Sequence, residues 1–284
     1  MLDRRTFLSL LASAPTLAAS VEAPHIFEAA DRMAHGGLGV VVSDRSSARR
    51  WELRPQRRFL MASVFKLPLA AYVWDLVDHG QLERGSAILV EPEDLRAGPG
   101  STEARTAVPP LVLAGRALRE SDNTAADLLL KRVGGPKRVT AWLERKGFDI
   151  RVDRTEGDFA RETAVRPPGD ERDTASPAAV VAFLEQLTAG TLLGLEATAS
   201  IMAEMESSAT GRKRIRGGLP SGWIAGDKTG TNGFATNDVA FIMPGEGRGV
   251  ACVAAFVEAP PGQRVDAEAA LSLVGRALAT NLSR

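Results

Sequence analysis

Ile224-Ala225-Gly226-Asp227-Lys228-Thr229-Gly230-Thr231 reads as a β-strand, and its polar end carries the residues around which the rest of the chain falls into order. Side chains alternate along a strand, and Gly230 would let a ligand lie against the backbone. Further strand signals follow at residues 238–243 and 249–257. Two more come early, at 37–43 and 50–53, joined by the polar turn 44–47. Between these groups the periodicity is helical, clearest at 64–77, 112–118, 124–132, 138–146, 177–187 and 195–205, and a last helix is expected over 266–281. Strands at both ends with helices between them predict an α+β fold: an antiparallel sheet flanked by helices, plus an all-helical lobe. The expected boundaries are 24–61 and 213–284 for the lobe formed by both termini, and 62–212 for the helical lobe. A cleft between lobes is the usual place for a small-molecule site.

Two other motifs precede the Lys228-Thr229-Gly230 triplet: Ser63-Val64-Phe65-Lys66 and Ser121-Asp122-Asn123. About one Ser-x-x-Lys is expected by chance in a chain of this length, so the ordered set of three carries the signal. Ser63 and Lys66 share a helix face at a spacing of three. Burial disfavours a charged ammonium, which makes Lys66 a candidate base for a Ser63 nucleophile. The apolar flanks 59–61 and 67–71 argue for that burial. Pro68 follows closely, and a proline inside a helix costs about 3 kcal/mol, so the turn carrying Ser63 is expected to be irregular. Ser121 could relay a proton to a leaving nitrogen, and the Asn123 amide could hold a substrate carbonyl. Taken alone, Ser-Asp-Asn is also an ordinary helix cap. Lys228 and Thr229 are candidates for binding a carboxylate, with the Thr231 and Ser63 N–H groups as an oxyanion hole.

Bulk properties exclude several classes. Of 284 residues, 44% are hydrophobic and 25% charged, ordinary values for a globular protein with a sizeable core. Lys plus Arg and Asp plus Glu both number 35, so no electrostatic footprint for nucleic acid or an anionic membrane exists. The cluster Arg212-Lys213-Arg214-Ile215-Arg216 is the local exception. Cys252 is the single cysteine, set in a buried-strand pattern, so neither an intrachain disulfide nor a cysteine-rich zinc site is available. His25, His35 and His79 form no His-Glu-x-x-His pattern and lie far from the motifs, against a zinc hydrolase and a Ser-His-Asp triad. No metal or cofactor is expected.

The N-terminus reads as an export signal. Asp3-Arg4-Arg5-Thr6-Phe7-Leu8 leads into an apolar stretch of roughly 13 residues, short of the ~20 that span a bilayer. Paired arginines ahead of a modest apolar core point to the twin-arginine type, residues 1–23, with cleavage near Ala19 or Ala23. A periplasmic or secreted protein without stable membrane insertion is expected.

The ordered motifs resemble those of the class A serine β-lactamases, from about residue 26 to the C-terminus. The likeness extends to the blocks 121–130, Gly134-Gly135-Pro136, 169–174, Thr210-Gly211 with Arg214-Ile215-Arg216, and 226–231. The resemblance implies a two-lobed serine β-lactamase and penicillin-binding-protein-like fold, and hydrolysis of β-lactam antibiotics through an acyl-serine intermediate, conferring resistance. It implies Ser63, Lys66, Ser121 and a deacylating Glu as catalytic residues. Asn123, Lys228, Thr229, Gly230, Thr231 and Arg214 would bind the small-molecule β-lactam, and a monomer is expected. Val152-Asp153-Arg154-Thr155-Glu156 resembles the lead-in to the family's loop glutamate, which names Glu156, with Arg154 and Asp173 as the ion pair closing the loop. Glu162 is the rival base. The sequence departs from the family here: Gly157 replaces a usual proline, Ala160 a usual asparagine, and the stretch to Asp170 is longer. Residues 94–101 lack the aromatic often found at the cleft entrance. A penicillin-binding transpeptidase or carboxypeptidase shares the three motifs, and a covalent β-lactam binder without turnover is the third reading.

Overall fold

A six-stranded sheet crosses the molecule, and both ends of the described chain supply its strands. The computed structural model describes residues 21–22, 24–162, 169–245, 249–258 and 264–282. Of the expected export segment 1–23, residues 1–20 and 23 therefore lie outside the described residues. In chain order the strands are β1 (Val21–Glu22), β2 (Leu38–Asp44), β3 (Arg49–Leu53), β4 (Phe59–Leu60), β5 (Ile88–Leu89), β6 (Ala107–Val108), β7 (Thr174–Ala175), β8 (Ile224–Thr231), β9 (Ala235–Met243) and β10 (Ala251–Glu258). The helices are α1 (Glu28–Met33), α2 (Lys66–Asp78), α3 (Pro110–Arg119), α4 (Asn123–Arg132), α5 (Pro136–Arg145), α6 (Glu156–Arg161), α7 (Pro177–Thr188), α8 (Leu195–Glu206) and α9 (Arg264–Leu282).

Sheet order is β1-β3-β2-β10-β9-β8, antiparallel throughout except for the β1–β3 pair, where Val21 aligns with Arg50. Strands β2, β9 and β10 are buried along nearly their whole length, which explains their almost unbroken apolar sequence. Alternation divides their side chains between two cores. Val41, Val239, Phe241, Cys252 and Phe256 face the helical side, while Val40, Ile242 and Val253 share a core with Leu271 and Val274 of α9. The edge strand β8 is left beside the helical segment, and that edge is where the site forms.

The structure amends the expected organisation in two places. Residues 62–212 are not all helical, because β5 pairs with β6, and β7 returns to pair with β4 (Phe59 opposite Ala175). Strands of two residues are too short to show a period in sequence. The helix expected over 64–77 divides into a 3₁₀ turn, Ala62–Phe65, and α2. Pro68 is then the third residue of α2, where no intrahelical N–H bond is lost, so the cost expected for it does not arise. The irregular turn itself is present.

Candidate active site

Ser63 sits on the 3₁₀ turn directly ahead of α2, preceded by Ala62 in the left-handed region at φ 46°. That strained residue lies against β8: a Cβ built on Gly230 would meet the Met61 carbonyl oxygen at 2.2 Å and the Val64 nitrogen at 3.2 Å. Only glycine permits this approach, which brings the turn and the edge strand together. Asn237, opposite Gly230 on β9, ties down the same turn by donating from Nδ2 to the carbonyls of Leu60 (2.8 Å) and Met61 (3.0 Å). Sequence reasoning missed Asn237; its signal was the polar run Thr236-Asn237-Asp238 leading into an apolar strand.

Lys66 is fully buried beneath Ser63. Its Nζ donates to Ser63 Oγ (3.1 Å), Ser121 O (2.8 Å), Asn123 Oδ1 (2.6 Å) and, at 3.5 Å, Ser121 Oγ. The carboxylate of Glu156 lies 2.8 Å from the same nitrogen and 3.4 Å from Ser63 Oγ. Burial pushes the Lys66 ammonium below its ordinary range, and neighbouring Glu156 opposes that shift. Ser121 is left-handed at φ 59°, which turns it back toward the two lysines, while Asp122 rather than Ser121 caps α4 by accepting from the Ala125 N–H.

Lys228 differs from its expected placement. On β8 its side chain points away from Thr229 and Thr231, into the interior, and Nζ donates to Ser121 Oγ at 3.0 Å. Complete burial drives its charged form well down, and the nearby positive Lys66 adds to this. Ser121 Oγ is thus flanked by two buried lysines. Asn123 also differs, since Oδ1 holds Lys66 and Nδ2 donates to Ala97 O at 2.8 Å, leaving one N–H for other partners. Arg214 is buried behind the strand. It donates to Asn237 O (2.7 Å) and Thr231 Oγ1 (2.7 Å) and pairs with Glu268 (3.2 Å), while Arg212 and Lys213 of the same cluster are exposed.

Glu156 is the first residue of α6, capped by the Thr155 hydroxyl, which accepts from the Asp158 N–H at 2.9 Å. Asp127, a lone acid in the apolar face of α4 that sequence reasoning passed over, accepts from Glu156 N (2.7 Å) and Gly157 N (3.1 Å). Proline at 157 would lack that second donor. Arg154 Nε lies 2.5 Å from Asp173 Oδ2, and Asp173 Oδ1 also accepts the N–H groups of Asp153 and Arg154. Glu162 is exposed at the loop's outside, bound to Arg154 (3.0 Å) and Arg172 (2.8 Å), away from Ser63. Ala160 is exposed as well. The stretch between Glu156 and Asp170, expected to be longer than usual, includes residues 163–168, which lie outside the described residues.

These groups line a cleft of about 670 Å³, whose walls include Ser63, Ser121, Asn123, Glu156, Thr229 and Arg214. A hydroxyl beside a buried amine, with a carboxylate on the opposite side, suits acyl transfer followed by hydrolysis. The sequence model of the β-lactamase enzyme family matches residues 26–282. The chain belongs to that family. Beta-lactamase CTX-M-8 of Citrobacter amalonaticus is 35% identical over 243 residues, 84% of this chain and 82% of that protein. Beta-lactamase L2 of Stenotrophomonas maltophilia is 35% identical over 272 residues, 93% and 87% of the two chains. Among solved structures, an ancestral class A β-lactamase superposes with a TM-score of 0.82 at 35% identity, covering 90% of this chain and 99% of that one. The enzyme is a class A serine β-lactamase: it hydrolyses the β-lactam amide through an acyl-serine intermediate, an activity that confers antibiotic resistance. Its fold is the family's two-lobed α+β fold.

Proposed function

We propose that Ser63 is the nucleophile, Lys66 and Ser121 its proton carriers, and Glu156 the base for deacylation. The observation that carries this reading is Lys66 Nζ, in hydrogen-bond reach of Ser63, Ser121 and Glu156 at once. Ser63 Oγ attacks the lactam carbonyl and yields its proton to Lys66, whose burial favours the neutral, accepting form. The ring C–N bond breaks, and the proton reaches the leaving nitrogen through Ser121, which Lys228 holds from the far side. The N–H groups of Ser63 and Thr231 receive the oxyanion. Water then attacks the ester, its proton passes to Glu156, and collapse breaks the bond to Ser63 Oγ and returns the serine proton.

Substrate binding falls to Asn123 through its remaining N–H, to Thr229 and Gly230 on β8, and to Thr231. Arg214 supports the Thr231 hydroxyl, its positive charge behind the strand draws the substrate carboxylate toward Thr229, and Lys228 holds Ser121 at that end of the cleft. The Arg154–Asp173 pair shuts the loop that carries Glu156. The functional units are residues 24–61 with 213–284, and 62–212.

Export by a twin-arginine-type signal to the periplasm or medium, and action as a monomer, complete the proposal. Among the described residues no helix is long and apolar enough to cross a membrane. Cleavage after Ala19 would keep the β1–β3 pair, and cleavage after Ala23 would remove it. Mixing the enzyme with excess nitrocefin tests the central reading. Many turnovers that vanish in Ser63→Ala support it, and Ser63→Ala retaining turnover removes Ser63 as nucleophile.

A further inference from the structure

Attacking water must be held as well as deprotonated, and a buried water makes about three hydrogen bonds. Ser63 and Glu156 supply two partners. Beside them, on the loop side of the cleft, lies a small pocket of about 100 Å³, room for only a few waters. Its wall includes Ser63, Glu156, Phe159, Arg154, Thr155 and Asn232. The polar groups of the loop are already engaged: Arg154 with Asp173 and Glu162, and the Thr155 hydroxyl with Asp158. Ala160 is exposed and brings no polar atom.

Asn232 stands apart. Its Oδ1 accepts from the N–H groups of Phe234 (2.8 Å) and Ala235 (2.7 Å), closing the turn between β8 and β9. Two donors on that atom fix which end of the amide is oxygen, so the other end is the NH₂. This Nδ2 is buried and has no hydrogen-bond partner among the described residues. A buried donor left unpaired is costly and asks for a partner. We infer that Asn232 is the third holder of the hydrolytic water: its Nδ2 donates to the water oxygen while Glu156 takes the proton and Ser63 carries the acyl group. Asn232 is thus a positioning residue from the β8–β9 turn, doing what the loop's own residue 160 does not. The inference rests on the assignment of Glu156 as base.

Donation to the water oxygen leaves one lone pair free to attack the ester carbon. The step balances as above: the water proton goes to Glu156, the C–Oγ bond breaks, and Ser63 regains a proton as the acid leaves.

Stopped-flow and quench kinetics with nitrocefin and benzylpenicillin, with mass spectrometry of the adduct, separate acylation from deacylation in Asn232→Ala and Asn232→Asp. The aspartate retains an acceptor for the turn and loses the N–H. Both variants are expected to deacylate about 10- to 100-fold more slowly, with acylation within about threefold of the parent, so acyl-enzyme accumulates and KM falls together with kcat. In a Glu156→Gln background, Asn232→Ala should slow deacylation less than twofold further, because both groups act through one water. Loss confined to acylation, or deacylation at the parental rate in both variants, overturns the inference. So does a full, multiplicative loss in the Glu156→Gln background. Glu156→Gln alone turning over at the parental rate overturns the base assignment instead, and that result is read separately from the Asn232 arms.

Discussion

The turn carrying Ser63 and the loop carrying Glu156 face each other across the cleft, yet they are held by different forces. The Ser63 side is fixed by burial: Lys66, Lys228 and Asn237 are all enclosed, and Gly230 presses on the Met61 carbonyl. The Glu156 side is fixed by charge, through Arg154–Asp173, Arg96–Asp127 at 2.6 Å and the more exposed Arg172–Asp170 and Arg172–Glu162 pairs. Buried contacts are screened little by salt, whereas part-exposed ion pairs weaken as salt rises. Acylation should therefore be the robust half of the reaction and deacylation the half that conditions and loop mutations disturb.

The largest break in that comparison is Ser63→Ala, which should lower turnover by on the order of 10⁵ and abolish covalent labelling by penicillin, read by intact mass. Next comes Arg154→Met. It leaves the Asp173 carboxylate without its charged partner in a mostly buried place, at a cost of about 3 kcal/mol. A drop of roughly 6–12 °C in the unfolding midpoint should accompany slowed deacylation with acylation kept. Equal loss of both steps would erase the contrast between the two sides.

Acid should act on the same loop. The Arg172 guanidinium bound to Asp170 holds that carboxyl down at about 2, against an ordinary value of 3.8. A carboxylate whose native pKa is depressed stabilises the fold above its unfolded value, and the contribution fades as pH falls from about 4 to 2. Asp170→Asn should remove this dependence, measured by denaturant midpoints across that range, and leave the midpoint of acylation unmoved. The smallest effect is expected at Ala160→Asn. An exposed position should change deacylation less than about twofold. A large gain there would mean that residue 160 reaches the cleft after all.

Much of this layout is legible in the chain. β8 forms over the very residues, Ile224–Thr231, whose pattern suggested it. The order of the three motifs pointed to Ser63, Lys66, Ser121 and Lys228, which lie together, and Arg154-Thr155-Glu156 pointed to the carboxylate that stands beside Lys66, whereas Glu162 pairs with Arg154 and Arg172. What sequence could not supply was direction. Lys228 and Thr229 are neighbours in the motif but lie on opposite faces of β8, so the lysine serves Ser121 rather than lining the cleft beside Thr229. Asn123 and Arg214 looked free to meet a ligand, yet each is drawn to an internal partner, Lys66 and Thr231. Asp127, Asn232 and Asn237 carried no motif, since their roles arise only when distant segments meet.

The central claim is that one carboxylate, Glu156, separates a turning-over enzyme from a protein acylated once. Intact-mass analysis of Glu156→Gln after mixing with excess benzylpenicillin tests it directly. The account predicts one equivalent of penicilloyl adduct on the Ser63 peptide, persisting at least about 10²-fold longer than in the parent. Continued multiple turnover without a trapped adduct would contradict it.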